Sequence, residues 1–162
     1  MFLGMPPLTL LHTLISLVGI VTGAVVMTGL LKNNPMRGMT LVFLLMTIAT
    51  SVTGFLFFPF VTFLPSHGVG TLSLILLAVA LYALYAKHLA GPWRPAYVVT
   101  AVAAQYFNVF VLVVQLFLKV PALHAMAPQQ SEPPFVITQA VVLVGYIVVG
   151  VLGVKRFHPA SP

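Results

Sequence analysis

The chain has no cysteine, and Glu132 is the only acidic residue among its 162. Without cysteine there is no disulfide, no thiolate metal site and no thiol nucleophile. With a single carboxylate side chain, neither paired-carboxylate catalysis nor a Ser-His-Asp triad can be assembled. The intramembrane acid that ion-coupled transporters commonly use is missing too. Neither a P-loop nor a dinucleotide fingerprint occurs. Charge of either sign is scarce: 5% of residues are charged and 60% are hydrophobic, whereas a soluble domain carries about 25% charged residues. Such a chain cannot cover a water-facing surface, and the reading is a single integral membrane domain over 1–162.

A spanning helix needs about 20 mostly apolar residues. Five segments meet that requirement, at roughly 7–31, 39–63, 68–89, 96–119 and 135–154. The expected fold is therefore all-α, a polytopic membrane bundle of five transmembrane helices. The first run has no basic leader and no small-residue cleavage site, so it reads as an uncleaved span. The turns KNNPMR and KHLAGPWR and the short link at Pro65-Ser66-His67-Gly68 carry Pro or Gly as breakers. The longest loop, roughly 120–134, is rich in proline and holds Glu132. Aromatic residues gather at two levels: Tyr82, Tyr85, Trp93 and Tyr97 at one, and Phe55, Phe57, Phe58, Phe60 and Phe63 at the other.

The seven basic residues orient the chain. Lys32, Arg37, Lys87, Arg94, Lys155 and Arg156 fall on one side of the five spans and only Lys119 on the other. Loops rich in Lys and Arg stay cytoplasmic, so the N-terminus is expected outside and the C-terminus cytoplasmic, in a bacterial inner membrane. The formal charge of +6 is spread over short loops and helix ends and forms no patch. It reads as topology signal and lipid anchor, with no nucleic-acid partner.

Polar residues inside the spans mark the faces that contact protein. His12, Ser16, Gly19 and Gly23 fall within a stripe about 60° wide on the first helix. Thr47, Thr50, Ser51 and Gly54 share a similar face on the second. Gln105, Asn108, Gln115 and Lys119 fall within about 80° on the fourth, and this stripe should face the bundle interior. Two readings of it stay open: hydrogen bonds to neighbouring helices, or a cavity for a polar ligand, a quinone headgroup or a water chain. Lys119 is expected to snorkel to the headgroups, with a salt bridge to Glu132 as the second choice.

Five histidines remain. His88 and His158 sit beside basic residues and read as solvated. His12 is expected about one turn inside the outer interface, His67 at the outer start of the third span and His124 in the long outer loop. Each can be an interfacial histidine bonded to backbone or water. Neutral imidazole also binds divalent metals and haem iron. His12, His67, His124 and Glu132 form one candidate metal set. His12 and His67, with Gln105, Asn108 and Gln115, form the candidate cofactor-binding set, for haem b or a quinone. No local ligand spacing such as H-x-x-x-H occurs, so any site must be built across helices.

The stretch NVFVLVVQLFLKVPALHAMAPQQSEPPF, from Asn108 to Phe135, resembles small bacterial inner-membrane proteins. The pattern TGFLFFPF followed closely by SHGVG resembles membrane proteins related to cytochrome b561. That resemblance implies histidine-bound haem, with His12 and His67 as the axial ligands. The family pattern uses two histidine pairs, one near each face, and here only one pair is available. The residues and the resemblance together leave two functional classes. One is a non-enzymatic accessory or assembly protein that binds lipid, other membrane subunits or a second copy of itself. The other is a small haem-, metal- or quinone-binding redox protein.

Overall fold

The computed structural model describes residues 6–57 and 65–160, and among these there is no strand. The elements are α1 (Pro7–Leu31), α2 (Arg37–Phe57), α3 (Pro65–Leu81, closed by a wide π-helical turn Tyr82–Ala86), α4 (Trp93–Lys119), α5 (Pro121–Met126) and α6 (Pro133–Arg156). All except α5 are long and apolar enough to cross a membrane. The chain is a multi-pass membrane helix bundle.

Several helices begin before the apolar runs that announce them. Proline is tolerated in a first turn, where its missing N–H would have no intrahelical partner. Thus α3 starts at Pro65, α4 at Trp93 with Pro95 inside its first turn, and α6 at Pro133. Lys155 and Arg156, expected just beyond the last span, lie in its last turn, where basic groups complement the helix dipole. The short helix α5 occupies part of the expected 120–134 loop. The far end of the expected second span and the aromatics Phe58, Phe60 and Phe63 lie outside the described residues.

Helices α1, α2, α3 and α4 each pack on the next, and α4 packs back on α1. In this ring of four, α1 stands diagonally opposite α3. Helix α6 lies outside the ring against α4 and α1, and α5 lies against α4. Exposed Val136, Ile137, Val141, Val144, Ile147, Val148 and Val151 run along α6, a row suited to lipid contact.

Among the described residues the dense packing of the ring lies at one end. Val26, Leu30, Phe43, Leu44, Leu77, Ala80, Tyr97, Val98 and Ala101 form a continuous buried core near the basic turns. Polar clasps close that end. Arg94 Nη1 on α4 donates to the carbonyls of Val154 and Phe157, each at 2.8 Å, which satisfies two orphan acceptors at the end of α6. The His158 N–H donates to Asn33 Oδ1 at 2.7 Å, tying the end of α6 to the α1–α2 turn. Lys87 Nζ lies 5.3 Å from the ring centre of Tyr82 and 5.9 Å from that of Trp93, within cation–π range.

The core ends at a contact between α1 and α4. Gln105 is fully buried, and its Nε2 donates to the Ile20 carbonyl at 2.9 Å. Its amide occupies the space where a side chain at Gly23 would stand. Asn108 Nδ2 donates to Thr47 Oγ1 at 3.0 Å and more distantly to Gln105 Oε1 at 3.5 Å. Tyr146 of α6 approaches the same Gln105 side chain. A Gly23→Ala substitution forces the Gln105 amide out of its seat, and overpacking of this kind costs about 1–3 kcal/mol. Denaturation in detergent should show that loss, with most of it gone in a Gln105→Ala background. Strict additivity of the two substitutions would contradict the contact.

Candidate functional site

Toward the Lys119 end of α4 the ring opens around a cavity of about 490 Å³. Helix α1 lines it with Thr9, His12, Thr13, Ser16, Leu17 and Ile20, and α2 with Thr50, Ser51, Gly54 and Phe55. Helix α3 contributes His67, Val69, Gly70 and Ser73, and α4 contributes Phe107, Asn108, Val111, Leu112, Gln115, Leu116 and Lys119. The cavity thus runs along α4 from Lys119 to Phe107, about 18 Å at 1.5 Å per residue. That is slightly more than half of a hydrocarbon core about 30 Å thick.

The sequence explains the shape. The small residues Ser16, Ser51, Gly54, Gly70 and Ser73 face inward where larger ones would fill the ring. At Gly70 a methyl would stand 3.1 Å from the Phe55 ring, and at Gly54 it would stand 3.6 Å from His12 Cε1. Phe55 and the buried His67 ring stack at 5.8 Å with an interplanar angle of 16°.

His12 Nδ1 lies 2.7 Å from Thr53 Oγ1. The Thr53 hydroxyl is itself 2.7 Å from the Ala49 carbonyl. A hydroxyl has one proton to give, and donation to Ala49 leaves Nδ1 as the donor to Thr53. With the Thr53 proton on Ala49, the ring carries its own proton on Nδ1. Other hydroxyls behave like that of Thr53. Thr13 donates to the Thr9 carbonyl, Ser16 to that of His12, Thr50 to that of Met46 and Ser51 to that of Thr47, at 2.7–3.1 Å. Back-bonding of this kind is the usual fate of Ser and Thr inside a helix. It leaves the oxygen lone pairs as the groups offered to the cavity.

Four of the five expected cofactor-site residues, His12, His67, Asn108 and Gln115, line this cavity, while Gln105 does not. Gln105 lies a turn nearer the packed end and is consumed by the contact with Gly23 and Ile20. The wider metal set is not brought together. Among the described residues no group of three or more His, Asp or Glu side chains has the arrangement to hold a metal ion. His124 is exposed on α5, away from the cavity lining. Glu132 precedes α6, and its two carboxylate oxygens accept the N–H groups of Gln129 and Ser131, each at 3.1 Å. Glu132 thus serves its own loop, and Lys119 takes the place at the cavity mouth.

Sequence reasoning missed the roles of four residues here. Gln130 Nε2 donates to the Val114 carbonyl at 2.9 Å and Gln139 Nε2 to that of Phe110 at 3.2 Å. Both amides press on the side of α4 away from the cavity, where Val113, Phe117 and Ala127 form a small apolar core. Phe55 and Phe107 also line the cavity, and nothing in their spacing distinguishes them from lipid-facing phenylalanines. No protein family, curated protein or solved structure matches the chain.

Desolvation pushes the Glu132 carboxyl pKa up, but the backbone N–H donors of Gln129 to Ser131 outweigh it and hold the group below its ordinary value. A carboxylate with a depressed pKa stabilises the fold above its unfolded pKa, and the contribution disappears as pH falls through the folded value. Hydrogen exchange at the Gln129 and Ser131 amides should therefore accelerate as pH drops below about 4, beyond the intrinsic trend. Glu132→Gln should already exchange faster at neutral pH, with no further step. An unchanged rate in that variant would contradict the assignment.

Proposed function

We propose that this protein is a non-enzymatic membrane bundle that binds an amphiphilic, lipid-like ligand in the cavity at the Lys119 end. The observation that carries the reading is the joint character of the cavity. It has aliphatic and aromatic walls, hydrogen-bonding groups at defined heights and one cationic side chain at its mouth. Ligand sites are typically concavities of roughly 300–1,000 Å³ with mostly apolar walls and a few placed polar groups. A cavity of about 490 Å³ falls within that range. A bundle whose helices needed only to associate would fill this space with side chains, as the other end of the same ring does.

A second reading has its own support. His12 and His67 line one cavity from diagonal helices, and the His12 Nδ1–H is held by Thr53. A ligating histidine is commonly oriented in this way by a partner on its other nitrogen. Under this reading the pair holds the iron of a b-type haem, as the resemblance to cytochrome b561-related proteins implies.

One preparation separates the two. The protein in nanodiscs, exposed to a photoreactive single-chain lipid, should cross-link within residues 9–20 of α1 and 107–119 of α4. Its absorption spectrum after growth with haem available should lack a Soret band. Labelling spread evenly over α6 would contradict the cavity reading. A Soret band lost in both His12→Ala and His67→Ala would establish the haem reading in its place.

A further inference from the structure

We propose that the cavity takes a neutral, hydroxyl-headed lipid, admitted sideways from the bilayer between α1 and α4 and seated head-inward on the side-chain oxygens of Thr13, Ser16, Thr50 and Ser51. This ligand class rests on the amphiphile-binding reading of the cavity and names the chemistry which that reading leaves open.

Two bonds set the levels. Gln105 holds the Ile20 carbonyl of α1, and Asn108 holds Thr47 of α2. Helix α1 runs antiparallel to α4, so Ser16 stands level with Val109 and Thr13 with Leu112. Helix α2 runs parallel to α4, so Thr50 stands level with Val111 and Ser51 with Leu112. Two hydroxyl oxygens from each helix thus share one level, about 10–15 Å below Lys119 at 1.5 Å per residue. That depth is close to the middle of a hydrocarbon core about 30 Å thick.

Hydrogen-bond polarity selects the head. Thr13 and Ser16 give their protons to the carbonyls of Thr9 and His12, and Thr50 and Ser51 give theirs to those of Met46 and Thr47. A hydroxyl has one proton and two lone pairs, so all four oxygens offer only acceptors. The Asn108 amide at the floor is already turned to Thr47 and Gln105. A head seated here must therefore bring the donors. Ester, ether and ketone oxygens would meet lone pairs, whereas a hydroxyl gives its proton.

The opening selects the charge. Of the described lining residues, those that are exposed all belong to α1 and α4 or lie just past α4: Leu17, Gln115, Leu116, Lys119 and Val120. The lining residues of α2 and α3 are buried or half-buried, and no α6 residue lines the cavity. Helices α1 and α4 thus meet at Gln105 and part above it, leaving a seam toward lipid bordered by the leucines Leu17 and Leu116. A charged head moving through hydrocarbon to such a seam, and on to mid-membrane, is costly. A neutral head crosses at far smaller cost. An anionic head would be held at the mouth by Lys119, the wrong level for the four acceptors.

The test uses the full chain in phosphatidylcholine nanodiscs, with native mass spectrometry counting bound lipid. The probes are 1-oleoylglycerol, its dimethyl ether, decylhydroquinone under reductant, its dimethyl ether, and oleoyl lysophosphatidic acid. At least one hydroxyl lipid should bind about tenfold tighter than its own ether and than the phosphate, the loss expected from one or two neutral hydrogen bonds. The tighter of the two, glycerol or phenol, identifies the source of the hydroxyls. Ser16→Ala combined with Ser51→Ala should cost that probe about tenfold and leave its ether unchanged. A diazirine placed beside the head should label residues 13–16 and 109–112. Equal binding of both ethers, or no effect of the paired alanines, overturns the donor head. Tightest binding of the phosphate, with head labelling at 116–119, overturns the neutral, head-inward seat. In each of those cases loss of binding in Leu112→Trp, or in Ser16→Leu if the tryptophan variant does not fold, leaves the amphiphile cavity standing. Binding of every probe that is insensitive to both cavity-filling variants overturns the cavity reading as well.

Discussion

The arrangement of this bundle depends on one buried amide. Gln105 sits where Gly23 leaves room, donates to the Ile20 carbonyl and accepts at long range from Asn108. In hydrocarbon an unsatisfied amide costs several kcal/mol, because no water replaces the missing partner. Each satisfied interhelical bond adds only about 0.6 kcal/mol on average. The asymmetry between those magnitudes matters more than either alone. The contact contributes little to overall stability but strongly fixes the rotation of α4 about its axis. Once Gln105 points at α1, the helical period carries Asn108, Gln115 and Lys119 onto the same side, and the ring must accommodate them.

The two ends of the ring solve that problem differently. Near the basic turns α4 presents Tyr97, Val98, Ala101 and Ala104, which interlock with Leu30, Phe43, Leu44 and Leu77. Past Gln105 its inward residues include Asn108, Gln115 and Lys119 beside Phe107, Val111, Leu112 and Leu116, while Ser, Thr, Gly and His appear among the facing positions. Small polar residues that bond to their own helices cannot fill the space that large apolar ones leave. The cavity therefore follows from residue size and hydroxyl back-bonding, with no special backbone geometry required. The Arg94 and Asn33 clasps keep the opposite end closed.

Much of this was legible in the sequence, because bilayer thickness and helical period are strong constraints. The five spans, the inward stripe on α4 and the small-residue faces of α1 and α2 follow from spacing alone. The partners of the stripe do not. Gln105, Asn108 and Gln115 lie on one face and look equivalent in sequence, yet Gln105 closes the floor and the other two reach the cavity. That difference depends on where Gly23 falls on another helix, which no local pattern encodes. Arg94 and Glu132 were legible as charges but not as partners of particular backbone groups. Their partners, the Val154 carbonyl and the Gln129 and Ser131 amides, are backbone groups without side-chain signature. The starts of α3, α4 and α6 were misplaced by two or three residues, since the prolines in or beside their first turns also signal a turn, whereas α1 opens at Pro7 as expected.

The central claim is that α4 divides into a face lining an amphiphile-accessible cavity and a face sealed against α5 and α6. The absence of native cysteine makes a direct measurement possible. Single cysteines would be placed at Asn108, Leu112, Gln115, Val113 and Phe117 in turn, and their rates of reaction with a small charged thiol reagent measured in nanodiscs. The account predicts rapid modification at 108, 112 and 115, slowed by bound single-chain lipid, and little at 113 and 117. Equal rates at all five positions, or fast reaction at 113 and 117 alone, would contradict it.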